Sequence, residues 1–232
     1  CSELIEPLPI SKQQVLCCGT VFAVLWSIAG GLWAQGGLDA SILFALNNAH
    51  FNDTFVTVIQ LISRYGMAAI AGISLCYLVR AVIFNNPDDD KRLFLLIIFS
   101  FGIAGVGGDL LKLLFDRARP IVDHAGELSF LTSSGSPSFP SGHATKSAAL
   151  ALPFLFYAGY RGNFHQCIRI LMVFIVLSVG FARIVLAAHY LSDVLAGIGL
   201  AFLCLPGAVV IGNKLLSKMA SNKKLDTAAK RW

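Results

Sequence analysis

"FPSGHATKSAALALPFLFY", residues 139–157, opens with a Pro-Ser-Gly turn and a histidine and then runs straight into an apolar stretch. A tight turn that enters an apolar helix leaves the first backbone N–H groups, and the positive end of the helix dipole, facing the preceding loop. Such an end receives anions; Gly142 lets a ligand approach the backbone closely, and the Ser141 hydroxyl adds a donor. A plain membrane anchor has no use for these groups. An ordinary serine N-cap beside a surface histidine is the better account of the tetrapeptide alone, so its meaning depends on what the rest of the chain supplies.

The rest of the chain is apolar. Of its 232 residues, 56% are hydrophobic and 13% charged, a balance that excludes an ordinary soluble domain. Stretches close to the roughly 20 residues that cross a bilayer lie at 15–33, 67–84, 93–115, 144–160, 170–188 and 191–212. The expected fold is all-α, a polytopic membrane bundle of six transmembrane helices. Residues 38–66 mix apolar positions at helical spacing with Asn, Asp and His, and are expected to form interfacial helices on the outer side. No low-complexity linker or internal repeat divides the chain, so 1–232 is read as a single membrane-embedded domain.

Six spans place both termini on one side. Twelve Lys and Arg residues fall on that side against six on the other, which makes the termini cytoplasmic and turns the opposite face toward the periplasm or exterior. The six outer cations are Arg64, Lys112, Arg117, Arg119, Lys146 and Arg183, and four of them cluster in 112–119 and at 183, which topology does not explain. The net charge of +5 lies in membrane-flanking loops and the tail, with no basic stripe interleaved with aromatics, which argues against nucleic acid. Six cysteines, at 1, 17, 18, 76, 167 and 204, lack metal-type spacing and are read as buried thiols packing as small hydrophobes. Cys1 is read as a boundary of the expressed chain rather than a lipidated terminus, and no cleavable signal peptide is expected.

Charged groups at the ends of spans are functional candidates by default, because hydrocarbon penalises them. "GDLLKLLFDRARP", 107–120 less its first glycine, sets Lys112 and Arg119 seven residues apart, two turns on one face if the helix continues until Pro120 stops it. A snorkelling Lys112 neutralised by Asp109 is the plainer alternative. "ARIVLAAHYLSD", 182–193, sets His189 and Asp193 at i, i+4, so that on a helix the carboxylate reaches one ring nitrogen and leaves the other as a lone-pair nucleophile. Arg183 adds a fork for an oxyanion. All three clusters fall on the same predicted side. Three cations, a helix N-terminus, two histidines and one carboxylate are the inventory of phosphoryl transfer, where catalysis is largely positioning and charge stabilisation.

At these residues the chain resembles the type 2 phosphatidic acid phosphatase superfamily, whose pattern is K-x6-RP, PSGH and SR-x5-H-x3-D. The matching positions are Lys112, Arg119, Pro120, Pro140, Ser141, Gly142, His143, Arg183, His189 and Asp193. Ala182 departs from the pattern, which has Ser there, and is expected to remove a hydroxyl near the phosphate pocket. The resemblance implies a membrane lipid phosphatase in which His189 attacks phosphorus, Asp193 orients it, and His143 serves first as acid and then as base. It further implies that Lys112, Arg119, Ser141, Gly142 and Arg183 bind the phosphate. With three cations present no metal or other cofactor is expected. The implied partners are the bilayer and a lipid phosphate: undecaprenyl diphosphate, phosphatidic acid, phosphatidylglycerophosphate or lipid A phosphate, in a bacterial inner membrane. Transfer to a second lipid, a serine hydrolase using Ser141, and non-catalytic lipid binding are the rival readings.

Other polar residues carry weaker expectations. Arg117 and Asp116 are expected to pair with each other at the loop edge, and His50, His124 and His165 to be solvated or interfacial. Gly102, Gly105, Gly107 and Gly108 are read as helix-packing positions rather than a phosphate loop.

Overall fold

The computed structural model describes residues 10–229 apart from 50, 84–87, 125, 129–134 and 158–161. Cys1 and His50, and Arg161, Lys230 and Arg231 of the charge count, lie outside the described residues. Every element among the described residues is helical: α1 Lys12–Ala34, α2 Gly37–Asn47, α3 Asp53–Ile83, α4 Asp88–Phe115, α5 Pro120–Asp123, α6 Gly142–Phe156, α7 Asn163–Val185 and α8 Leu191–Ala229.

Five of these helices are long and apolar enough to cross a membrane, not six: Lys12–Ala34, Asp53–Arg80, Arg92–Asp123, Asn163–Val185 and Leu191–Leu215. Two expectations change. The segment 53–66 is no interfacial helix but the first half of α3, because its polar residues are spaced widely enough to sit on one side of a continuous apolar helix. The remainder of that stretch forms α2, a separate apolar helix of 11 residues. The expected span at 144–160 corresponds to α6, which has 15 residues. At about 1.5 Å per residue it is roughly 22 Å long, shorter than the hydrocarbon core of about 30 Å.

That short helix is the centre of the bundle. Ten of its residues, from Ala144 to Phe154, are buried, and it packs against α3, α4, α7 and α8. Small residues on α6 and its neighbours let the backbones approach: Gly108 of α4 faces Thr145, and Gly105 faces the Lys146 stem. The carbonyls left open at its C-terminal end are met by side chains from elsewhere. Gln14 Nε2 donates to the Phe156 carbonyl at 2.9 Å, and Arg169 donates to those of Phe154 and Tyr157. α1 begins at a capping box formed by Ser11 and Gln14, and lies along α8, with Trp26 Nε1 donating to the Ala196 carbonyl at 3.0 Å.

The bundle is apolar outside and polar at its heart. Leu113, Leu114 and Phe174 are 79%, 74% and 66% exposed, whereas Asp39, Asn47, Arg119, His189 and Asp193 are buried. In water that inversion is costly; against lipid tails the outer face loses nothing, and the inner charges can be satisfied by one another. The cysteines divide along the same line: Cys18 and Cys204 are buried, while Cys17, Cys76 and Cys167 lie on the apolar outer surface instead of inside it.

Candidate active site

The site begins where α4 ends. The helix stops at Phe115, four residues before Arg119, and Asp116 turns the chain through a positive φ of 39°. Lys112 and Arg119 therefore do not share a helical face, as a helix running to Pro120 would require. They meet because Arg119 is extended (φ −84°, ψ 154°) ahead of Pro120, which opens α5 with the φ a helix start needs. Arg119 is then held on three sides. Its Nε donates to the Ser136 carbonyl at 2.7 Å, Nη2 to Ser136 Oγ at 3.0 Å, and Nη1 to the Ala188 carbonyl at 3.0 Å. Nη1 also lies 3.4 Å from His189 Nε2. Lys112 Nζ donates to the Pro137 carbonyl at 2.5 Å, and Arg183 Nη1 to Ser63 Oγ at 2.8 Å.

His189 does not stand on a helix. α7 ends at Val185, Ala187 takes a positive φ of 50°, and α8 starts at Leu191, so the ring hangs from the turn between them. Asp193, in the first turn of α8, accepts the Tyr190 N–H at 3.0 Å and places Oδ2 3.6 Å from His189 Nδ1. Ser138 bridges that gap, with Oγ 2.5 Å from Asp193 Oδ2 and 3.3 Å from Nδ1. This network assigns the proton to Nδ1 and leaves the Nε2 lone pair toward Arg119. Ser138 was not among the expected site residues. Its only sequence signal is a serine two positions ahead of Pro140.

Arg117 is likewise a correction. It turns away from Asp116 and donates from Nη1 to Asp193 Oδ1 at 2.6 Å and from Nη2 to Asp39 Oδ2 at 3.0 Å. A buried guanidinium bridging two carboxylates outweighs a pair with a solvated neighbour. Its guanidinium lies 4.6 Å from the Trp33 ring centroid and 4.2 Å from that of Tyr190, and Ser192 Oγ donates to Asp39 behind it. α2 thus supplies a carboxylate to the wall of the site.

The turn before α6 is anchored by Phe139, whose ring packs against Trp26, Trp33 and Phe115 with centroids 5.7, 5.0 and 5.0 Å away. Ser141 N–H donates to the Asp193 carbonyl at 2.9 Å. Gly197 of α8 passes so close that a Cβ there would sit 2.8 Å from both the Ser141 carbonyl oxygen and Thr145 Oγ1. Ser141 is fully buried, its hydroxyl lacks a partner among the described residues, and it makes no hydrogen bond to His189.

A cavity of about 740 Å³ opens between α3, α4, α6 and the α7–α8 turn. Lys112, Arg119, Gly142, His143, Arg183 and His189 all line it; of the expected site residues, Ser141 and Asp193 sit behind the wall. Two cations not assigned to the site from sequence, Arg64 and Lys146, line it too, with Asp109. Ala182 does not. It packs with Ile59, Val185 and Leu186 in an apolar cluster, so the missing hydroxyl is not missing from the cavity. Among the described residues, no group of three or more His, Cys, Asp or Glu side chains is arranged to hold a metal.

Both histidines are driven toward the neutral form. Burial, with Arg183 and Arg119 next, takes His143 down to about 4; burial takes His189 down to about 4 against the opposing pull of Asp193.

An apolar-surfaced bundle closed around a cationic cavity defines a multi-pass membrane protein with an internal polar site. The chain belongs to the PAP2 superfamily, whose model matches residues 93–216, more than half of its length. It is 37% identical over 135 residues to lipid A 1-phosphatase of Rhizobium johnstonii, covering 55% of this chain and 50% of that protein. The chain thus spans about half the length of that relative. It is 27% identical over 159 residues to an undecaprenyl-diphosphatase of Bacillus subtilis, covering 67% of this chain and 74% of that protein. The fold is similar to the crystal structure of a transmembrane PAP2 type phosphatidylglycerolphosphate phosphatase from Bacillus subtilis, with TM-score 0.64, 21% identity and 87% and 96% of the two chains covered.

Proposed function

We propose that the chain is a metal-independent lipid phosphate phosphatase that works through a phosphohistidine on His189. The observation that carries this reading is the shared cavity: the Nε2 face of His189, His143 and the cations Lys112, Arg119 and Arg183 border one space. In line attack by Nε2 forms the N–P bond as the P–O bond to the lipid breaks. Asp193 and Ser138 keep the Nδ1 proton in place and stabilise the imidazolium that develops. His143 gives its proton to the departing oxygen, then takes one from the water that cleaves the N–P bond, releasing orthophosphate and restoring His189.

The low proton affinity of the two histidines fits this cycle. His143 is depressed by burial and by cations that a phosphate dianion neutralises, so substrate entry itself raises His143 toward the protonated form that an acid must have. The Gly142 N–H, at the cavity lining, is the remaining donor for the non-bridging oxygens, with the unpartnered Ser141 hydroxyl directly behind it. Each preorganised donor is worth about 3 kcal/mol, and phosphate-ester hydrolysis is slow enough uncatalysed to need several. The lipid tail stays in the bilayer during cleavage. Counting the short α6 as a sixth crossing inside the bundle, we place the protein in a bacterial inner membrane, with cytoplasmic termini and the cavity facing the periplasm or exterior, on the distribution of Lys and Arg.

Purified protein in detergent is expected to release orthophosphate from a panel of lipid monophosphates and diphosphates in the presence of EDTA, and to carry acid-labile phosphate on His189. Strict dependence on an added divalent cation, or labelling of Ser141 by a fluorophosphonate with loss of turnover in Ser141→Ala, overturns it.

A further inference from the structure

The cavity holds more positive charge than one phosphate needs. Five cations line it, Arg64, Lys112, Arg119, Lys146 and Arg183, against the single carboxylate of Asp109. A bound phosphate monoester brings about −1.5 to −2 at neutral pH, which leaves about two positive charges unmatched. The five also differ in how they are held. Lys112, Arg119 and Arg183 are each tied by hydrogen bonds to protein atoms around the site. Arg64 and Lys146 are not: among the described residues neither is in an ion pair or bonded by a side-chain hydrogen bond to another residue. The Arg64 guanidinium lies over the adjacent Tyr65 ring, 5.4 Å from its centroid.

Both line the same cavity as the tied cations, and together they are the candidate second station. Lys146 follows His143 by three residues on α6, so both project from one face of that helix. α4 runs antiparallel beside it: Gly142 faces the Lys112 stem at 3.8 Å, and two turns earlier on α4 Gly105 faces the Lys146 stem at 3.6 Å. Lys146 therefore roots about one turn, roughly 5 Å, further along the bundle than the Lys112 and Gly142 level. Its side chain lines the cavity together with His143. Arg64 enters from α3, next to the Ser63 that holds Arg183.

We propose that Lys146 and Arg64 bind a second phosphoryl group of the same substrate, so that the site prefers a lipid diphosphate to a lipid monophosphate. This rests on the phosphatase reading above. The terminal phosphorus takes the position at His189, and the phosphoryl group attached to the lipid lies at the second station. Attack by His189 then breaks the bond from the terminal phosphorus to the bridging oxygen. A lipid monophosphate leaves, and the charge that develops on it stays paired with Lys146 and Arg64 while water releases orthophosphate from His189.

The test compares headgroups on one tail. Farnesyl diphosphate and farnesyl phosphate are assayed in detergent with the full chain and with Lys146→Met, Arg64→Gln and Lys146→Arg. The full chain is expected to favour the diphosphate in kcat/KM by at least about tenfold, the ratio expected of one additional charge-assisted contact. Lys146→Met and Arg64→Gln each shrink that preference several-fold, mainly through KM, and Lys146→Arg keeps most of it. Equal loss on both substrates, or no change in the ratio, overturns the second station. Loss against phosphatidylglycerophosphate relative to phosphatidic acid, with the farnesyl ratio unmoved, also overturns it, in favour of a more distant second phosphate. Thermal protection by inorganic pyrophosphate and by orthophosphate gives a readout independent of turnover. If the full chain hydrolyses neither lipid yet pyrophosphate protects it at about tenfold lower concentration than orthophosphate, and Lys146→Met abolishes that difference, the phosphatase reading fails and the subsite stands. If hydrolysis proceeds and the two anions protect alike, the subsite fails and the phosphatase stands.

Discussion

Arg117 Nη1 donates to Asp193 Oδ1 at 2.6 Å, gripping from behind the carboxylate whose other oxygen faces His189. The grip is itself buried between Trp33 and Tyr190 and shared with Asp39. Asp193 is thus fixed by Arg117 of the α4–α5 connection, by Ser138 ahead of α6 and by the Tyr190 N–H of the α7–α8 turn, and it needs no direct short bond to the imidazole to orient it.

Arg117 is consequently a positioning residue. Arg117→Ala is expected to lower kcat about 10- to 100-fold, equal to about 1.4–2.8 kcal/mol of transition-state stabilisation, with KM moving far less. Removing one partner of a buried pair should also lower stability by about 3 kcal/mol. Steady-state kinetics beside thermal unfolding checks both, and Asp39→Asn should show the same pattern in weaker form. A change confined to KM would contradict a positioning role.

The two histidines should separate in trapping experiments. His189→Ala is expected to abolish both turnover and phosphoenzyme. His143→Asn should still be phosphorylated by a substrate whose leaving group needs no proton, and should then accumulate acid-labile phosphate, because the base for water is gone. Quench-and-gel measurement with labelled substrate reads this directly; phosphoenzyme in the His189→Ala protein would refute the assignment.

Acid should act through the same groups. Burial holds His143 and His189 near 4 in the folded protein, against about 6.5 in an unfolded chain. Between those values the unfolded chain binds more protons, so stability falls as pH drops from about 6.5 toward 4 and is insensitive to these groups above that window. If His189 is the nucleophile, as proposed, it stays neutral over the same range, so the acid limb of kcat/KM is expected below pH 5 rather than near 6.5. His143→Gln should flatten the dependence of melting temperature on pH without shifting its plateau at neutral pH by a comparable amount.

Gly197→Ala tests the packing that seats the α6 turn. The added methyl would meet the Ser141 carbonyl and Thr145 Oγ1 at 2.8 Å, both on a helix start that cannot yield without moving Gly142 and His143. A cost of about 1–3 kcal/mol in stability and a loss of activity at unchanged expression are expected, measured by unfolding and orthophosphate release.

Ala182→Ser should leave selectivity alone. Ala182 lies in an apolar cluster with Ile59, Val185 and Leu186, away from the cavity lining. The ratio of kcat/KM between any two lipid phosphates is expected to stay within about twofold, since no interaction present only in one transition state is touched. A larger shift would return the hydroxyl to a role in recognition.

What could be read from the chain before folding was whatever depends on composition and on local spacing. Apolar runs marked out α1, α4, α7 and α8, because a helix in lipid must be apolar over its whole length whatever its neighbours are. The span at 53–80 was less legible: Asn, Asp and Arg residues near its start look interfacial until α7 packs alongside. The motif residues were legible as a set because helix ends carrying Lys, Arg and His inside an apolar chain have few structural uses.

The linear order of residues determined an apolar helical protein carrying three dispersed cationic and histidine clusters, since both properties are intrinsic to each segment. Only the tertiary structure decided that Ser138 spans from Asp193 to His189, that Arg117 serves the carboxylate instead of Asp116, and that Arg64 and Lys146 join the same cavity. These are contacts between residues up to 78 positions apart, as between Arg117 and Asp39. Their geometry depends on how closely glycine and alanine faces let helices approach and on where each helix stops, and neither is written in the spacing of any one segment.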